Sequence, residues 1–294
     1  MATLAKTVVA TGASSGLGFE VIKQLLVQKQ PYKFILGARD VATTQAAFGK
    51  VEFDKSQHSL VVLPLELSDL KGVKKFSQQV LERTGQDKLD YLMLNAARSN
   101  GAEQQGPHGS KWCESYIVNH LSHHYLVHLL RDKLVASNSR LVFVSSGAIR
   151  MVKDPSTLDA DLKGGSGAGS QTVYAGTKFT ALLNAHWWRR QLTGQCTVVA
   201  VSPGLIPDTG LSRGMQVTIP PEMMKDAKSV AEGAGSILAA FTRTDFPEDP
   251  DQIFLTSWGE WWGRDVIEGS LDKGLQDKWS PSKEEIEKEE GIVG

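Results

Sequence analysis

Tyr174 and Lys178 stand four residues apart in Tyr174-Ala175-Gly176-Thr177-Lys178, a spacing that puts a phenol and an ammonium on one face of a helix. A tyrosine at its reference pKa of about 10 is a poor acid–base group near neutrality. A neighbouring ammonium favours the phenolate and pulls that value toward the range where proton exchange is efficient. Such pairs also arise by chance on many helices, so the pair needs company. Ser145-Ser146 closes the apolar run Leu141–Val144, which puts hydroxyls at the end of a buried strand. Asn95-Ala96-Ala97 closes another such run, Tyr91–Leu94. Asn119 lies inside a long helical pattern, and a buried amide there wants a use.

A glycine-rich turn, Thr11-Gly12-Ala13-Ser14-Ser15-Gly16-Leu17-Gly18, links the first apolar run to the first helical pattern. Gly12 suits a tight turn, Gly16 lets the backbone approach a pyrophosphate, and Gly18 lets the helix pack against the strand. Free N–H groups over Ser14, Ser15, Gly16 and Leu17, at the helix N-terminus, would hold the phosphates. Gly37-Ala38-Arg39-Asp40 follows the second run. An acid at that point grips a free ribose hydroxyl, whereas a cation suits a 2′-phosphate. Arg39 offers a planar fork to a phosphate, and Asp40 is placed to cap the next helix. After the third run, Glu66, with Leu67 beside it, either accepts from the adenine amino group or faces solvent.

Taken in order, Thr11–Gly18, Asn95-Ala96-Ala97, Asn119, Ser145-Ser146, Tyr174…Lys178 and Pro203-Gly204 resemble the short-chain dehydrogenase/reductase family over residues 5–260. The resemblance implies a Rossmann fold, a nicotinamide cofactor and a Ser–Tyr–Lys–Asn tetrad. On the matching positions it makes Tyr174 the general acid/base and has Ser146 orient the substrate oxygen. Lys178 holds the nicotinamide ribose and tunes Tyr174, and Asn119 supports a water relay to Lys178. Ser146 is preferred to Ser145 on strand alternation and family position. The implied cofactor site also takes in Asn95, Ala96, Pro203, Gly204, Ile206 and Thr209. Helices carrying Asn119 and Tyr174 often pair two copies in this family, so a monomer or a homodimer is implied, with 149–170 able to cover that face.

The chain departs from the family pattern in two places. Asn-Ala-Ala replaces the usual Asn-Ala-Gly, and Ser146 and Tyr174 lie 28 positions apart, more than is common in the family. Pro203–Leu211 is similar to a stretch of protochlorophyllide reductases, and Arg39-Asp40 resembles carbonyl reductases. Trp258-Gly259-Glu260-Trp261-Trp262, together with the late Lys-Glu-Glu run, resembles reductases of filamentous fungi, many of them associated with secondary metabolism.

The elements that must position these residues are legible as an alternation. Strands are expected at Thr7–Ala10, Lys33–Leu36, Leu60–Leu65, Tyr91–Leu94, Leu141–Val144, Thr197–Val201 and, more weakly, Ile253–Leu255. Helical patterns such as Leu17–Val27, Leu70–Arg83, Trp112–Leu134 and Thr172–Leu192 lie between them. Unbroken apolar strands alternating with helices predict an α/β Rossmann fold, a doubly wound seven-stranded parallel sheet with helices on both faces. Residues 1–270 are expected to form one domain, with lid segments at 149–170 and 205–228. Residues 271–294 form a charged tail whose 283–290 run reads as a solvated helix, and Gly164–Ser170 reads as flexible.

Of the 294 residues, 41% are hydrophobic and 22% charged, as in a globular chain. The 32 Lys+Arg against 33 Asp+Glu give a net charge of −1, which removes the broad electrostatic case for nucleic acid or an anionic membrane. Two cysteines, Cys113 and Cys196, give neither a disulfide framework nor a metal site and fit a reducing compartment. No apolar run reaches the roughly 18 residues of a spanning helix, and none at the N-terminus suits a signal peptide. The cytosol is the expected location. His120, His123, His124 and His128 share one helix, but no acid or cysteine completes a zinc set, so core packing is the better reading. Trp258, Trp261 and Trp262 are either core anchors or the border of a substrate entrance. Met215, Met223 and Met224 are either an adaptable lid or ordinary loop.

The function expected from all this is an NADP(H)-dependent oxidoreductase. It would reduce a ketone or aldehyde in a bulky, mostly apolar small molecule, such as a fungal secondary-metabolite intermediate. Reduction of a C=C bond on the same scaffold is the second reading. A dinucleotide-binding regulator without turnover is the third, and the intact tetrad argues against it.

Overall fold

The computed structural model describes residues 4–207, 209–212 and 221–292. Its strands are β1 (Lys6–Thr11), β2 (Tyr32–Ala38), β3 (Ser59–Pro64), β4 (Tyr91–Leu94), β5 (Arg140–Val144), β6 (Thr197–Val201) and β7 (Phe254–Leu255). They form one seven-stranded sheet in the order β3-β2-β1-β4-β5-β6-β7, and every pairing is parallel. The expected fold class is borne out, with strand ends shifted by a residue or two. Successive side chains feed opposite layers: Val9, Leu92 and Phe143 join one core, and Val8, Met93 and Val142 the other. Burial on both faces is why the strands read as unbroken apolar runs.

Helices α1 (Gly16–Leu26), α2 (Val41–Gly49) and α3 (Leu70–Thr84) follow the first three strands. Helix α4 runs over 114–137 and contains one π turn, Ile117–Leu121. Helix α5 is Ser170–Gln191 and α6 is Val230–Thr242. The strand order reverses at β1, which lies between β2 and β4. A doubly wound sheet opens its ligand crevice at the carboxyl ends of the strands beside such a reversal.

Two expectations change once the chain is folded. The Gly164–Ser170 stretch is docked rather than free. Gly164 N–H donates to Lys111 O, Gly165 N–H to Gln104 O and Gly167 N–H to Ala102 O. Its glycines serve close approach, since a Cβ on Gly164 would sit 2.5 Å from the Gly106 nitrogen. The charged run near the C-terminus is solvated on one side only. Ile286 is buried, the Tyr125 hydroxyl donates to Glu287 (2.7 Å), and Lys111 pairs with Glu289.

Just before that run, Trp279 is 2% exposed and packs on Trp112 and Tyr116. His120 Nε2–H donates to Trp279 O and His124 Nε2–H to Pro281 O, each at 2.7 Å. Asn184 and Trp188 direct N–H groups at His124 Nδ1 (2.8 and 3.0 Å). The histidines thus serve α4 and α5 packing, and among the described residues no three His, Cys, Asp or Glu side chains converge as metal ligands. No helix among the described residues is long and apolar enough to cross a membrane.

Burial holds these imidazoles neutral, pushing His120 down to about 4 and His124 well below the ordinary 6.5. The unfolded chain takes up those protons near pH 6.5 and the folded chain does not. Stability is therefore full above that pH and falls as the pH drops toward 4. For His120 alone the loss at about pH 5 is about 2 kcal/mol. Urea midpoints should be lower at about pH 5 than at about pH 7.5, and His120→Gln should shrink that difference.

Candidate active site

The glycine turn meets the end of β4. Gly12 and Gly16 have φ of +66° and +56°, the left-handed region that glycine enters freely. A Cβ on Gly18 would lie 2.2 Å from the Gly12 carbonyl oxygen and 2.5 Å from Asn95 Nδ2. Asn95 fills that contact from the other side, donating from Nδ2 to Gly12 O (2.9 Å) and Thr11 O (3.2 Å). Ser14 and Ser15 are exposed and Ser15 makes no side-chain cap, so the first N–H groups of α1 face outward. Above Gly16 the nearest atoms are Thr209 side-chain carbons, 3.8 Å from where a Cβ would stand. This open cradle at a helix N-terminus fits the pyrophosphate of a dinucleotide.

The rim carries the remaining residues read as cofactor-binding. Arg39 is exposed and makes no ion pair among the described residues. Asp40 caps α2 and accepts from Thr43 N–H (2.9 Å) and Oγ1–H (2.6 Å), which hold its carboxyl below the usual range. Glu66 is exposed and accepts from Ser68 (3.0 and 2.9 Å), while the Leu67 side chain is buried in the core. Pro203 is buried, and Gly204 has φ +93°. Ile206 and Leu17 both crowd Gly233 of α6. Asp208 and Met215 lie outside the described residues, as does the side chain of Met223; Met224 is exposed.

The tetrad residues gather where β5 meets α5. Ser145 is buried and its hydroxyl donates to Lys178 O (3.0 Å), so it fastens the strand to the helix. Ser146 is half-buried, its Oγ accepts from Ala148 N–H (3.2 Å), and it lies near enough to the Tyr174 phenol to pull its pKa down. Lys178 is buried and donates from Nζ to Val144 O (2.8 Å), 5.7 Å from the centre of the Tyr174 ring. The expected lowering of the Tyr174 pKa by Lys178 is not found. Burial pushes the phenol up to about 12 against a smaller downward pull from Ser146, and burial brings Lys178 down to about 8. The ammonium is directed at a carbonyl, and desolvation disfavours charge on both groups.

Asn119 occupies the π turn of α4. Its Oδ1 accepts from Arg98 N–H, and Nδ2 donates to Arg98 O and Thr177 Oγ1, at 2.8 to 2.9 Å. Thr177 in turn donates to Tyr174 O (2.8 Å). The sequence reading gave Thr177 no role and read His123 as core. His123 Nε2 lies 2.9 Å from Thr11 Oγ1, which accepts N–H bonds from Asn95 and Ala96 at 3.1 Å, so the hydroxyl proton goes to His123. His123 lies one turn along α4 from Asn119. A hydroxyl just before the glycine turn and a histidine four residues after Asn119 were the only signals for this link.

At the far rim, Trp262 reaches the residue beside Ser146: a Cβ on Gly147 would lie 3.8 Å from Trp262 Cζ2. Trp258 packs edge-on against Trp262 and is 61% exposed. Trp261 turns to the other face of the sheet, its indole N–H donating to Asp245 O (3.1 Å). Gly18→Ala tests the cradle, because backbone must move to admit the methyl. Titration with nicotinamide dinucleotides should show binding weakened by about tenfold or more, the scale of a 1–3 kcal/mol overpacking cost.

A family profile for short chain dehydrogenase matches residues 6–156. A short-chain dehydrogenase/reductase of Pestalotiopsis microspora is 59% identical over 288 residues, spanning 97% of this chain and 99% of that one. NADPH-bound carbonyl reductase from chicken fatty liver superposes with a TM-score of 0.67 at 21% identity, over 88% of this chain and 99% of the other. A Burkholderia phymatum short chain dehydrogenase/reductase in complex with NAD superposes with a TM-score of 0.60 at 14% identity, over 90% and 92% of the two chains. With the profile covering half the chain and a relative this similar matching nearly its full length, the chain belongs to the short-chain dehydrogenase/reductase family of oxidoreductases.

Proposed function

We propose that the chain is an NADP(H)-dependent carbonyl reductase acting on a bulky, largely apolar ketone or aldehyde. The observation that carries this reading is the gathering of Ser146, the Tyr174 phenol and buried Lys178 at the carboxyl edge of the sheet, next to an open phosphate cradle. A nicotinamide dinucleotide in that crevice supplies the hydride. Ser146 orients the substrate oxygen, and Tyr174 donates its phenolic proton to it. The raised pKa keeps Tyr174 protonated at neutral pH, and the substrate oxygen, which becomes strongly basic as the hydride adds, is what draws the proton off. A cavity of about 10 Å³ bounded by Asn119, His123, Val144 and Asn184 has room for about one water. Val144, whose carbonyl accepts from Lys178, is among the lining residues, and this supports a relay that returns a proton through Lys178.

NADP(H) is favoured over NAD(H) because of what Asp40 does. Its carboxylate is committed to Thr43, which leaves Arg39 as the free charge after β2. The reading extends to a cytosolic monomer, supported by two buried free cysteines and by residues 279–289 lying over α4 and α5.

Tyr174→Phe should fold and bind NADPH while turnover falls by about 10²–10⁴-fold, the usual loss on removing a general acid. NADPH absorbance with a panel of ketones, aldehydes and enones checks this, and reduction of only the C=C bonds would overturn the carbonyl assignment. Arg39→Asp should reverse the coenzyme preference by about a decade each way, a charged contact discounted for exposure. The ratio of kcat/KM with NADPH to that with NADH measures it.

A further inference from the structure

We propose that Arg150 and the Trp258–Trp262 pair form the outer half of the substrate site and select a planar aromatic carbonyl compound bearing an anionic group. The proposal rests on the carbonyl-reductase reading and adds a substrate class to it. The placement follows from a short loop after β7. Thr256 N–H donates to Glu260 O and Glu260 N–H to Thr256 Oγ1 (2.8 and 3.0 Å), with Gly259 at φ +89°. That turn folds Trp262 back over Phe254, ring centres 5.7 Å apart, on the sheet face that carries α5 and Tyr174.

Three features make this rim a recognition surface. Trp258 keeps 61% of its surface in solvent although Trp262 and Glu260 hold it in place (ring centres 5.6 Å apart; Nε1 to Oε2, 3.1 Å). A fixed, solvated indole gains from a flat apolar ligand and loses little side-chain freedom on binding. Next, Gly147 separates the catalytic hydroxyl from the rim. A Cβ there would sit 3.5 Å from Arg150 Nη2 and 3.8 Å from Trp262, so guanidinium and indole edge flank the position next to Ser146. Finally, Arg150 lies over the Trp262 ring at 5.2 Å and donates from Nε to Gly147 O (3.2 Å). Arg98, Arg190, Arg243 and Arg264 pair with carboxylates, whereas Arg150 pairs with none among the described residues. Its terminal nitrogens stay available for a carboxylate or an acidic phenol, while the Gly147 carbonyl and the Trp262 ring hold the side chain in place.

The test compares an acetylnaphthoate with its methyl ester as substrates, and naphthoate with methyl naphthoate by calorimetry on the NADPH-loaded protein. The acid should exceed the ester by about tenfold in kcat/KM, the scale of a partly exposed charged contact. Arg150→Gln should erase that ratio and Arg150→Lys should keep part of it, while Trp258→Ala should raise KM for both compounds. Equal kcat/KM for acid and ester in the unmodified protein, or an acid preference that survives in Arg150→Gln, overturns the proposal. If neither ketone is reduced but calorimetry shows an Arg150-dependent preference for the acid, the recognition stands and the carbonyl-reductase reading falls.

Discussion

The contact between the glycine turn and the end of β4 is the constraint on which the rest of the site depends. Gly18 faces the Gly12 carbonyl with no room for a methyl, and Asn95 closes the same gap by donating to Thr11 and Gly12. Only then can α1 start where its N–H groups point into the crevice. The Thr11 hydroxyl gathers the N–H groups of Asn95 and Ala96 and hands its proton to His123, which stands one turn along α4 from Asn119. Asn119 holds Arg98 and Thr177, and Thr177 holds the Tyr174 carbonyl. Hydrogen bonds and one turn of α4 therefore link the glycine turn to the helix that carries Tyr174.

That link passes through the π turn in α4. Asn119 sits in that π turn and reaches Arg98 on one side and Thr177 of α5 on the other. The cost of burial is visible in the pair it serves. Tyr174 and Lys178 are each pushed toward their neutral forms. The protein's own residues therefore hold the phenol in its protonated form.

The sheet was legible because strands buried on both faces carry unbroken apolar runs, and the site because glycine, tyrosine and lysine hold fixed spacings. What escaped reading was set by partners distant in sequence. Gly164–Ser170 has the composition of a flexible linker, yet its glycines exist to lie against residues 102–111. The Lys/Glu run has the composition of a solvated helix, but Ile286 and the Tyr125–Glu287 bond anchor one side of it. Nor could the effect of Lys178 on Tyr174 be judged from a four-residue spacing, since it turns on the Val144 carbonyl and on depth of burial.

Trp279 and Pro281 give their carbonyls to His120 and His124 across separations of 159 and 157 residues. A chain emerging from the ribosome N-terminus first makes α4 and α5 long before the segment that satisfies their histidines. Until it arrives, two imidazole donors and the socket for Trp279 stay open on the helices that carry Asn119 and Tyr174. Contacts of such high order form late and slowly. The first strands and their helices can thus pack while the helices that carry Asn119 and Tyr174 still wait for closure, and that docking is the step at which a chaperone would have most to protect.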